Sequence, residues 1–392
     1  MNALPALLGG QPIFDQKVPM VRPVLPDFTE LTEGIQKILE TGMVTKGPYL
    51  ELFEQAVAEH LGVRHAVAVS SCTSGLMLVY RSLQLSGEVV VPSFTFMATV
   101  SALVWNGLRP VFTDVRRETT NLSPEAAEAA ITPETTAIVG VHNFGNPAEI
   151  EALQRVASRR GLKLIFDAAH GFGARYRGMP IGAQGDAQVF SLSPTKLLIS
   201  GEGGIVATND DELAQNVRMG REYGNNGYYD STFPGLNARM PEINALMGLQ
   251  SLQHLEDAAV SRNETASLFH ETLGRLPGIG FQEVHPGDRN SYREFSVTIN
   301  AQDLGLARDA LVPALAAENI DARKYYQPPV HRQTAYKPFY NNQQLPNTEW
   351  LAENSLSLPM WSHMPEEVAL GISTAFERIH ENARSIRDKL AR

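Results

Sequence analysis

The sequence is poor in cysteine and in long apolar runs. Cys72 is its single cysteine, so no disulfide can form within the chain, which is typical of proteins from a reducing compartment. No uninterrupted apolar run approaches the roughly 20 residues that cross a bilayer. The apolar stretch at residues 1–10 lacks the basic start of a secretory signal peptide. We therefore expect a cytoplasmic protein that does not span a membrane.

Basic residues are in the minority as well. The chain has 33 Lys and Arg against 43 Asp and Glu, a formal net charge of −10. Nucleic-acid binding needs a concentrated basic surface, so this balance argues against it, although one local basic pocket for a phosphorylated ligand stays possible. No Gly-x-Gly-x-x-Gly segment links an early strand to its helix, which disfavours a dinucleotide site.

Short β-branched runs alternate with helical patterns between about residues 60 and 210. Runs of this kind are typical of strands buried on both faces of a mostly parallel sheet. We predict seven strands, at residues 66–69, 88–91, 110–112, 137–141, 162–166, 188–190 and 204–207. Apolar residues at helical spacing predict helices at 50–61 and 149–160. The expected fold class is α/β, with one wide layer around a seven-stranded sheet.

The rest of the chain predicts a second, smaller unit. Residues 220–237 are rich in glycine, asparagine and tyrosine, which indicates an exposed loop. Residues 291–300 resemble a strand, and from Pro365 onward Val368, Ile372, Phe376 and later residues share one helical face. We therefore expect a large domain at 1–249 and a small C-terminal α+β domain at 250–392.

Two charged residues stand out at predicted strand ends. Asp167 follows the fifth strand, where ligands of parallel sheets bind, although a helix N-cap would explain it equally. Lys196 lies in a hydroxyl-rich turn and precedes the apolar residues 197–199. Most lysines are solvated surface residues, but burial here would lower the pKa and free the amine for Schiff-base chemistry. An aspartate and a lysine on successive strand ends are the two anchors that pyridoxal phosphate requires.

Two further segments fit the same cofactor. Residues 70–75 join the first strand to a helix and carry hydroxyls, which suits a phosphate at a helix N-terminus. Ordinary N-capping by Ser71 or Thr73 explains this segment too. Residues 92–96 place phenylalanines just past the end of the second strand. Such a ring could stack on a flat cofactor, or it could belong to the core.

Eight segments in this order resemble the DegT/DnrJ/StrS family of nucleotide-sugar aminotransferases, from about Pro19 to the C-terminus. They are Thr-Lys-Gly-Pro at 45–48 with Phe-Glu at 53–54, Val-Pro-Ser-Phe-Thr-Phe at 91–96, Val-His-Asn-Phe-Gly at 141–145, Asp-Ala-Ala-His at 167–170, Phe-Ser-Leu-Ser-Pro-Thr-Lys at 190–196, Gly-Glu-Gly-Gly at 201–204, Asn-Ala-Arg-Met at 237–240 and Pro-Pro-Val-His at 328–331. The resemblance implies an aspartate aminotransferase-like fold and pyridoxal phosphate as cofactor, and it implies no metal.

The resemblance also implies a role for each matching residue. Lys196 is the Schiff-base lysine, which also moves the proton between the substrate carbon and the cofactor, and Asp167 pairs with the pyridine nitrogen. The other roles are ring stacking by Phe96, a place beside the ring hydroxyl for His170, phosphate binding by Thr73, Ser74 and Ser191, phosphate binding from a neighbouring subunit by Asn237, and nucleotide-sugar binding by Arg239 and His331.

The expected reaction is a ping-pong transamination in a homodimer. L-glutamate is the expected donor, and the expected acceptor is a nucleotide-linked keto sugar, a dTDP-4-keto-6-deoxyhexose. The position of the amine rests on His170, where a subgroup acting on 3-keto sugars usually has glutamine. The segment at 72–75 departs from the Gly-Thr-x-Ala of many members but keeps Thr73.

Three alternatives stay open from the sequence. One is a 3-keto sugar aminotransferase or a sugar dehydratase on the same scaffold, although the dehydratases we compare carry histidine in place of the lysine. Another is a regulatory protein that binds the cofactor without turnover. The third is a non-catalytic α/β scaffold in which Lys196 and Asp167 are chance neighbours.

Overall fold

The computed structural model describes residues 4–391 of the chain. Its strands are β1 (His65–Val69), β2 (Glu88–Pro92), β3 (Arg109–Thr113), β4 (Thr135–Val141), β5 (Lys163–Asp167), β6 (Arg175–Tyr176), β7 (Met179–Pro180), β8 (Ala187–Ser191), β9 (Gly204–Thr208), β10 (Ile279–Phe281), β11 (Phe295–Ile299) and β12 (Ser355–Leu358). Residues 1–3 of the N-terminal stretch examined for a signal peptide, and residue 392 of the predicted small domain, lie outside the described residues.

The α-helices alternate with these strands in the first half of the chain and predominate in the second. They are α1 (Phe28–Thr41), α2 (Pro48–Leu61), α3 (Cys72–Ser82), α4 (Met97–Trp105), α5 (Pro124–Ala129), α6 (Ile150–Arg160), α7 (Asp211–Gly220), α8 (Glu242–Gln253), α9 (Leu255–Leu273), α10 (Ala301–Leu304), α11 (Arg308–Ala317), α12 (Pro346–Asn354), α13 (Glu366–Glu381) and α14 (Ala383–Leu390). Among the described residues, no helix is both long and apolar enough to cross a bilayer.

The main sheet has seven strands in the order β1-β9-β8-β5-β4-β2-β3. The neighbours from β8 to β3 run parallel, and β9 runs antiparallel to both β8 and β1. Each of the seven predicted strands is present with ends within two residues of the predicted ones. The predicted mostly parallel α/β sheet is confirmed. Because β9 turns back against β8, residues 192–203 lie at the carboxyl ends of the parallel strands.

Helices cover both faces of this sheet, which explains why its strands read as continuous apolar runs. On one face α2, α6 and α8 bury residues such as Phe53, Val57 and Leu153. On the other face α3, α4 and α7 bury residues such as Leu76 and Leu103. The predicted helices at 50–61 and 149–160 correspond to α2 and α6. These two layers hold the strand ends, and the loops that follow them, in fixed positions.

A second core lies around the antiparallel sheet β10-β11-β12. Helices α9, α11 and α13 pack on it through residues such as Phe269, Phe295 and Phe376. The predicted strand at 291–300 is present as β11. The N-terminal segment packs against this core through Leu7, Leu8, Ile13, Phe14 and Val18. The division of the chain at residues 249 and 250 stays a prediction.

The C-terminal helix predicted as one continuous element is two helices, α13 and α14. The interruption is at Asn382, where φ is −108° and ψ is 15°. Its side-chain Nδ2 donates to the carbonyl of Arg378 at 2.9 Å, so the side chain occupies a carbonyl that would otherwise accept a helical N–H. The apolar face continues through Ala383 and Ile386, which is why the periodicity did not reveal the break.

Residues 221–240 form the loop that the sequence predicted. They contain isolated bridges but no helix or extended strand, and Tyr229 is 99% exposed. The loop leaves the end of α7 and returns to the start of α8, beside the beginning of α2.

The start of α2 depends on a residue far along the chain. Helix α2 begins after Gly47, which has no side chain to cap the free backbone N–H groups. Glu242, fully buried at the start of α8, takes this role. Its Oε1 accepts from the N–H of Gly47 and of Leu50, each at 3.0 Å, and its Oε2 accepts from Tyr49 at 2.9 Å. A carboxylate at a helix N-terminus is also favoured by the helix dipole.

Replacement of this carboxylate should destabilise the fold. We expect Glu242→Gln to lower the free energy of unfolding by about 2 kcal/mol, because charge-assisted bonds to three backbone N–H groups are weakened. Urea denaturation measures the change. Glu51→Gln, on the exposed side of the same first turn, is the control and should have little effect. Equal stability of the two variants would contradict a capping role for Glu242.

Candidate active site

The carboxyl ends of β5 and β8 bring several predicted site residues to one edge of the sheet. Asp167 is the last residue of β5 and Ser191 the last residue of β8. Lys196 lies in the connection from β8 to β9, where its N–H donates to the carbonyl of Ser193 at 3.0 Å. Helix α3 and helix α4 begin at the same edge. The site is therefore assembled by the sheet topology from segments far apart in sequence.

Asp167 is buried, and its carboxylate accepts several hydrogen bonds. Thr99 Oγ1 donates to Oδ2 at 2.7 Å, and the N–H of Ala169 donates to Oδ1 at 3.0 Å. The Cys72 thiol approaches Oδ1 at 3.8 Å. No helix follows Asp167, so the alternative of an N-cap does not apply. Burial raises the pKa of Asp167, while the bond from Thr99, the bond from Ala169 and the charge of Lys196 act in the opposite direction.

Lys196 is partly buried, and its ammonium form is disfavoured. Burial lowers the pKa of Lys196 to about 8, and the positive charge of Arg293 acts in the same direction. The negative charges of Glu294 and Asp167 oppose this shift. A lysine with such a pKa carries a substantial fraction of neutral amine near physiological pH, which an ordinary lysine does not. The expectation of an activated amine is therefore supported by its surroundings.

The N-terminus of α3 is capped within the chain. Ser71 Oγ accepts from the N–H of Ser74, and Ser74 Oγ accepts from the N–H of Ser71, each at 3.1 Å. Of the two capping candidates it is Ser71 that caps, and the hydroxyl of Ser74 is engaged with it. The hydroxyl of Thr73 has no hydrogen-bond partner within residues 4–391. A free hydroxyl beside a helix N-terminus keeps the predicted phosphate site possible.

Two glycines let the start of α3 lie against the sheet. A Cβ on Gly204, at the beginning of β9, would come within 2.6 Å of the backbone N of Cys72. A Cβ on Gly75 would meet the side chain of Val189 at 2.7 Å. The close packing of α3 against the sheet therefore explains why the segment Gly-Glu-Gly-Gly at 201–204 ends in glycine.

The two phenylalanines after β2 have different surroundings. Phe94 is fully buried and contacts the rings of Phe144 and Tyr326 at centroid distances of 6.2 and 5.4 Å. Phe96, at the N-cap of α4, is 52% exposed. The core interpretation therefore applies to Phe94, whereas Phe96 is free to contact a ligand.

His170 and Ser191 complete the edge. The pKa of His170 lies well below its ordinary value because of burial and the positive charges of Lys196 and Arg293, so the ring is neutral at physiological pH. Its carbonyl accepts from Ser291 Oγ at 2.7 Å. The hydroxyl of Ser191 accepts from the N–H of Ser193 at 3.5 Å and is otherwise available.

The backbone between Asn237 and Arg239 reaches this edge, since the carbonyl of Ala238 accepts from the N–H of Ser70 at 2.8 Å, but neither side chain is hydrogen-bonded to another predicted site residue within residues 4–391. Asn237 is exposed on the loop 221–240. Arg239 Nη1 donates to Glu222 at 3.0 Å, Lys46 Nζ pairs with the same carboxylate at 2.8 Å, and the guanidinium lies 5.4 Å from the ring centre of Tyr223. The predicted roles of Asn237 and Arg239 involve a second subunit or a substrate, and they stay predictions.

His331 is engaged on both ring nitrogens. Its Nδ1 lies 2.7 Å from Ser93 Oγ and its Nε2 lies 2.8 Å from Glu349 Oε1, and the residue is fully buried. Neither nitrogen is left for a substrate in this arrangement, so its predicted substrate contact stays untested. The geometry favours a role in holding the end of β2 against α12.

The sequence did not single out the charged pair Arg293 and Glu294. The pair is buried, with Arg293 Nη1 donating to Glu294 Oε1 at 2.7 Å. Buried Arg262 fixes the backbone here by donating to the carbonyls of Tyr292 and Arg293, at 3.0 and 3.2 Å. Two opposite charges directly before a buried strand were the available signal. Their partner Lys196 lies too far away in sequence for spacing to reveal it.

Comparison with known proteins shows the family to which the chain belongs. A sequence model of the DegT/DnrJ/EryC1/StrS aminotransferase family matches residues 27–377. The chain belongs to the DegT/DnrJ/EryC1/StrS aminotransferase family. The resemblance drawn from the eight segments is thereby confirmed, and the protein is an aminotransferase, as predicted.

Several solved structures superpose closely on this family member. It is similar to DesI in the presence of its TDP-sugar product, with a TM-score of 0.91 and 36% identity over 98% of each chain. It is also similar to DesV of S. venezuelae (TM-score 0.86, 34% identity, 94% of this chain and 99% of that one). PseC of Helicobacter pylori, an aminotransferase involved in the biosynthesis of pseudoaminic acid, gives a TM-score of 0.87 at 26% identity over 94% and 100% of the chains. The predicted aspartate aminotransferase-like fold class is confirmed.

The lowered pKa of Lys196 in this aminotransferase predicts its reactivity. In cofactor-free protein, we expect its labelling by acetic anhydride to rise steeply through pH 8 and then level off, because the neutral amine is the reactive form. Competitive labelling and peptide mass spectrometry measure this midpoint. Lys37, whose pKa is raised by its hydrogen bond to Glu33, is an internal control and should stay protonated in that window.

Substitutions in the buried pair Arg293 and Glu294 test the direction in which each charge shifts the pKa of Lys196. Arg293→Gln removes a positive neighbour and should raise the midpoint for Lys196, whereas Glu294→Gln removes a negative neighbour and should lower it. Shifts in the same direction would contradict a direct electrostatic effect of the pair.

Proposed function

We propose that this aminotransferase uses pyridoxal phosphate to move an amino group from L-glutamate to a keto sugar nucleotide. The proposed acceptor is a dTDP-4-keto-6-deoxyhexose, which gives a 4-amino-4,6-dideoxy sugar. The observation that carries the proposal is the placement of Asp167 and Lys196 at one sheet edge. The charge of each residue shifts the pKa of the other, and burial shifts both pKa values as well.

The residues present fit the cofactor. A buried carboxylate is a partner for a protonated ring nitrogen, and an amine with a pKa of about 8 can condense with an aldehyde. Thr73 and Ser191 offer hydroxyls, and the N-terminus of α3 offers backbone N–H groups for the phosphate. Half-exposed Phe96 offers a ring face. When bound, the cofactor supplies the carbonyl carbon that takes the amino group and an electron-withdrawing ring.

Side chains of the protein are proposed to move the proton that leaves the donor carbon. We assign Lys196 Nζ to take the proton from the donor carbon and to return it at the acceptor, since its pKa of about 8 is close to the working pH. Asp167 keeps the ring nitrogen protonated through its negative charge. Neutral His170 can hydrogen-bond the ring hydroxyl without adding a positive charge.

The acceptor assignment draws on the similar structures and on the loop. DesI, 36% identical, was solved with a TDP-sugar product, which supports a nucleotide-linked sugar here. Arg239 on the exposed loop 221–240, and Lys46, which shares the carboxylate of Glu222 with it, are cations suited to a diphosphate. His170 supports position 4 of the sugar, as the resemblance implies. Exposed Asn237 on this loop supports a homodimer in which each subunit completes the other's site.

The assay for this proposal has two halves. With added cofactor, the protein should be yellow, and L-glutamate alone should bleach the colour. A panel of nucleotide-linked 3-keto and 4-keto sugars is then tested, with the product mass and nitrogen position determined. Lys196→Ala should abolish amine transfer, whereas Lys163→Ala, at the distant start of β5, should not. Turnover by Lys196→Ala at the normal rate, or lack of any bleaching, would refute the proposal.

Asp167→Asn tests the other anchor. An amide is a poor partner for a protonated ring nitrogen, so we expect the rate of transamination to fall by about 10² or more with the fold retained. Single-turnover kinetics and circular dichroism measure the two effects. Asp186→Asn is the control, since Asp186 accepts from Lys163 and from the N–H of Leu164 at the other end of the strand. Unchanged kinetics in Asp167→Asn would count against its assignment.

A further inference from the structure

We propose that Thr99, supported by Thr95, is a positioning residue that keeps the buried carboxylate of Asp167 ionised and correctly oriented. The inference deepens the proposed function and rests on it for the role of the cofactor. Thr99 lies in the first turn of α4, 68 residues before Asp167, and no family segment quoted above includes it.

The hydrogen bonds form a directed chain. An ionised carboxylate only accepts, so the 2.7 Å contact between Thr99 Oγ1 and Asp167 Oδ2 uses the hydroxyl proton of Thr99. The hydroxyl oxygen of Thr99 is then free to accept, and Thr95 Oγ1 lies 3.0 Å from it. Thr95 therefore donates to Thr99, and Thr99 donates to Asp167. Both threonines are fully buried, so water does not substitute for either bond.

Five of the seven other helical threonines whose hydroxyls donate a hydrogen bond behave differently, while Thr29 donates to the carboxylate of Asp27 and Thr348 to that of Asp114. A threonine inside a helix commonly donates to the carbonyl four residues earlier. Such bonds are made by Thr32, Thr41, Thr265, Thr272 and Thr374. Thr99 instead donates across to a strand end of the main sheet. The hydroxyl of Thr99 is thus committed to the carboxylate and not to its own helix.

The energetic reason follows from burial. Burial raises the pKa of Asp167, and the bond from Thr99 is the largest opposing contribution, ahead of the N–H of Ala169. Hydrogen bonds to a charged acceptor stabilise the charged form. Each oxygen still has a lone pair for a ring N–H. Loss of the Thr99 bond would favour the protonated form of Asp167. A protonated carboxyl group has no negative charge to stabilise a protonated ring nitrogen.

The first test uses cofactor-free, full-length protein and does not depend on catalysis. The pKa of Asp167 is measured by ¹³C NMR of the side-chain carboxyl carbon, assigned with Asp167→Asn. Thr99→Val keeps the shape and removes the hydroxyl, and we expect it to raise the pKa by about one unit or more. Thr99→Ser keeps the hydroxyl and should restore the original value. Thr265→Val, a buried helical threonine in the second core, should leave it unchanged.

The second test measures the dissociation constant for pyridoxal phosphate by absorbance titration. Thr99→Val should weaken binding about tenfold at neutral pH, and Thr99→Ser by much less. In the Asp167→Asn background, Thr99→Val should have no further effect, because its influence passes through the carboxylate. Should Thr99→Val not fold, Thr95→Val removes the supporting donor and should give a smaller change of the same sign.

Two outcomes would overturn the inference. One is an unchanged Asp167 pKa in folded Thr99→Val. The other is an equal loss of cofactor affinity with and without the Asp167 carboxylate, which would mean that Thr99 acts elsewhere. Failure of the proposed function would look different, since a protein that never transaminates a sugar nucleotide would still show the pKa shift.

Discussion

The candidate active site is built around a buried carboxylate, Asp167, and the hydrogen bonds that favour its ionised form. Burial raises the pKa of Asp167, and donors from three separate elements oppose that shift: the hydroxyl of Thr99, the N–H of Ala169 and the thiol of Cys72. These donors meet because β5 lies in the middle of the sheet, between β8 and β4. The helices that follow β1 and β2 start at the same edge. The fold thus serves as the scaffold for one ionised group.

Burial shifts the pKa of Lys196 as well, but it lowers this pKa, whereas it raises that of Asp167. Burial favours the neutral amine of Lys196, and Arg293 adds to this effect while Glu294 moderates it. The backbone of that pair is fixed by Arg262, a buried cation that donates to two carbonyls and to Ser362. The second core, which contains α9 and β11, therefore influences the pKa of Lys196.

Much of this architecture could be predicted because a strand that is buried on both faces has a continuous run of apolar residues in the sequence. Continuous β-branched runs predicted all seven strands of the main sheet. The ends of the predicted strands indicated Asp167 and Lys196 as candidate site residues. Thr99 could not be predicted, since its partner is 68 residues away and a helical threonine is ordinary. Likewise, spacing cannot tell buried Phe94 from half-exposed Phe96, nor show that Asn382 divides an unbroken apolar face.

Cys72 shows how a departure from the common family pattern is accommodated. Many members resembling this chain carry glycine there, and a larger side chain beside a crowded helix start needs space and partners. Gly204 of β9 allows the backbone at Cys72 to lie against the sheet, because a Cβ there would lie 2.6 Å from the Cys72 backbone N. The partners are the carbonyl of Val189 at 3.4 Å and the carboxylate of Asp167 at 3.8 Å. The single S–H can donate to only one of these acceptors at a time, and the carbonyl of Val189 is the nearer one.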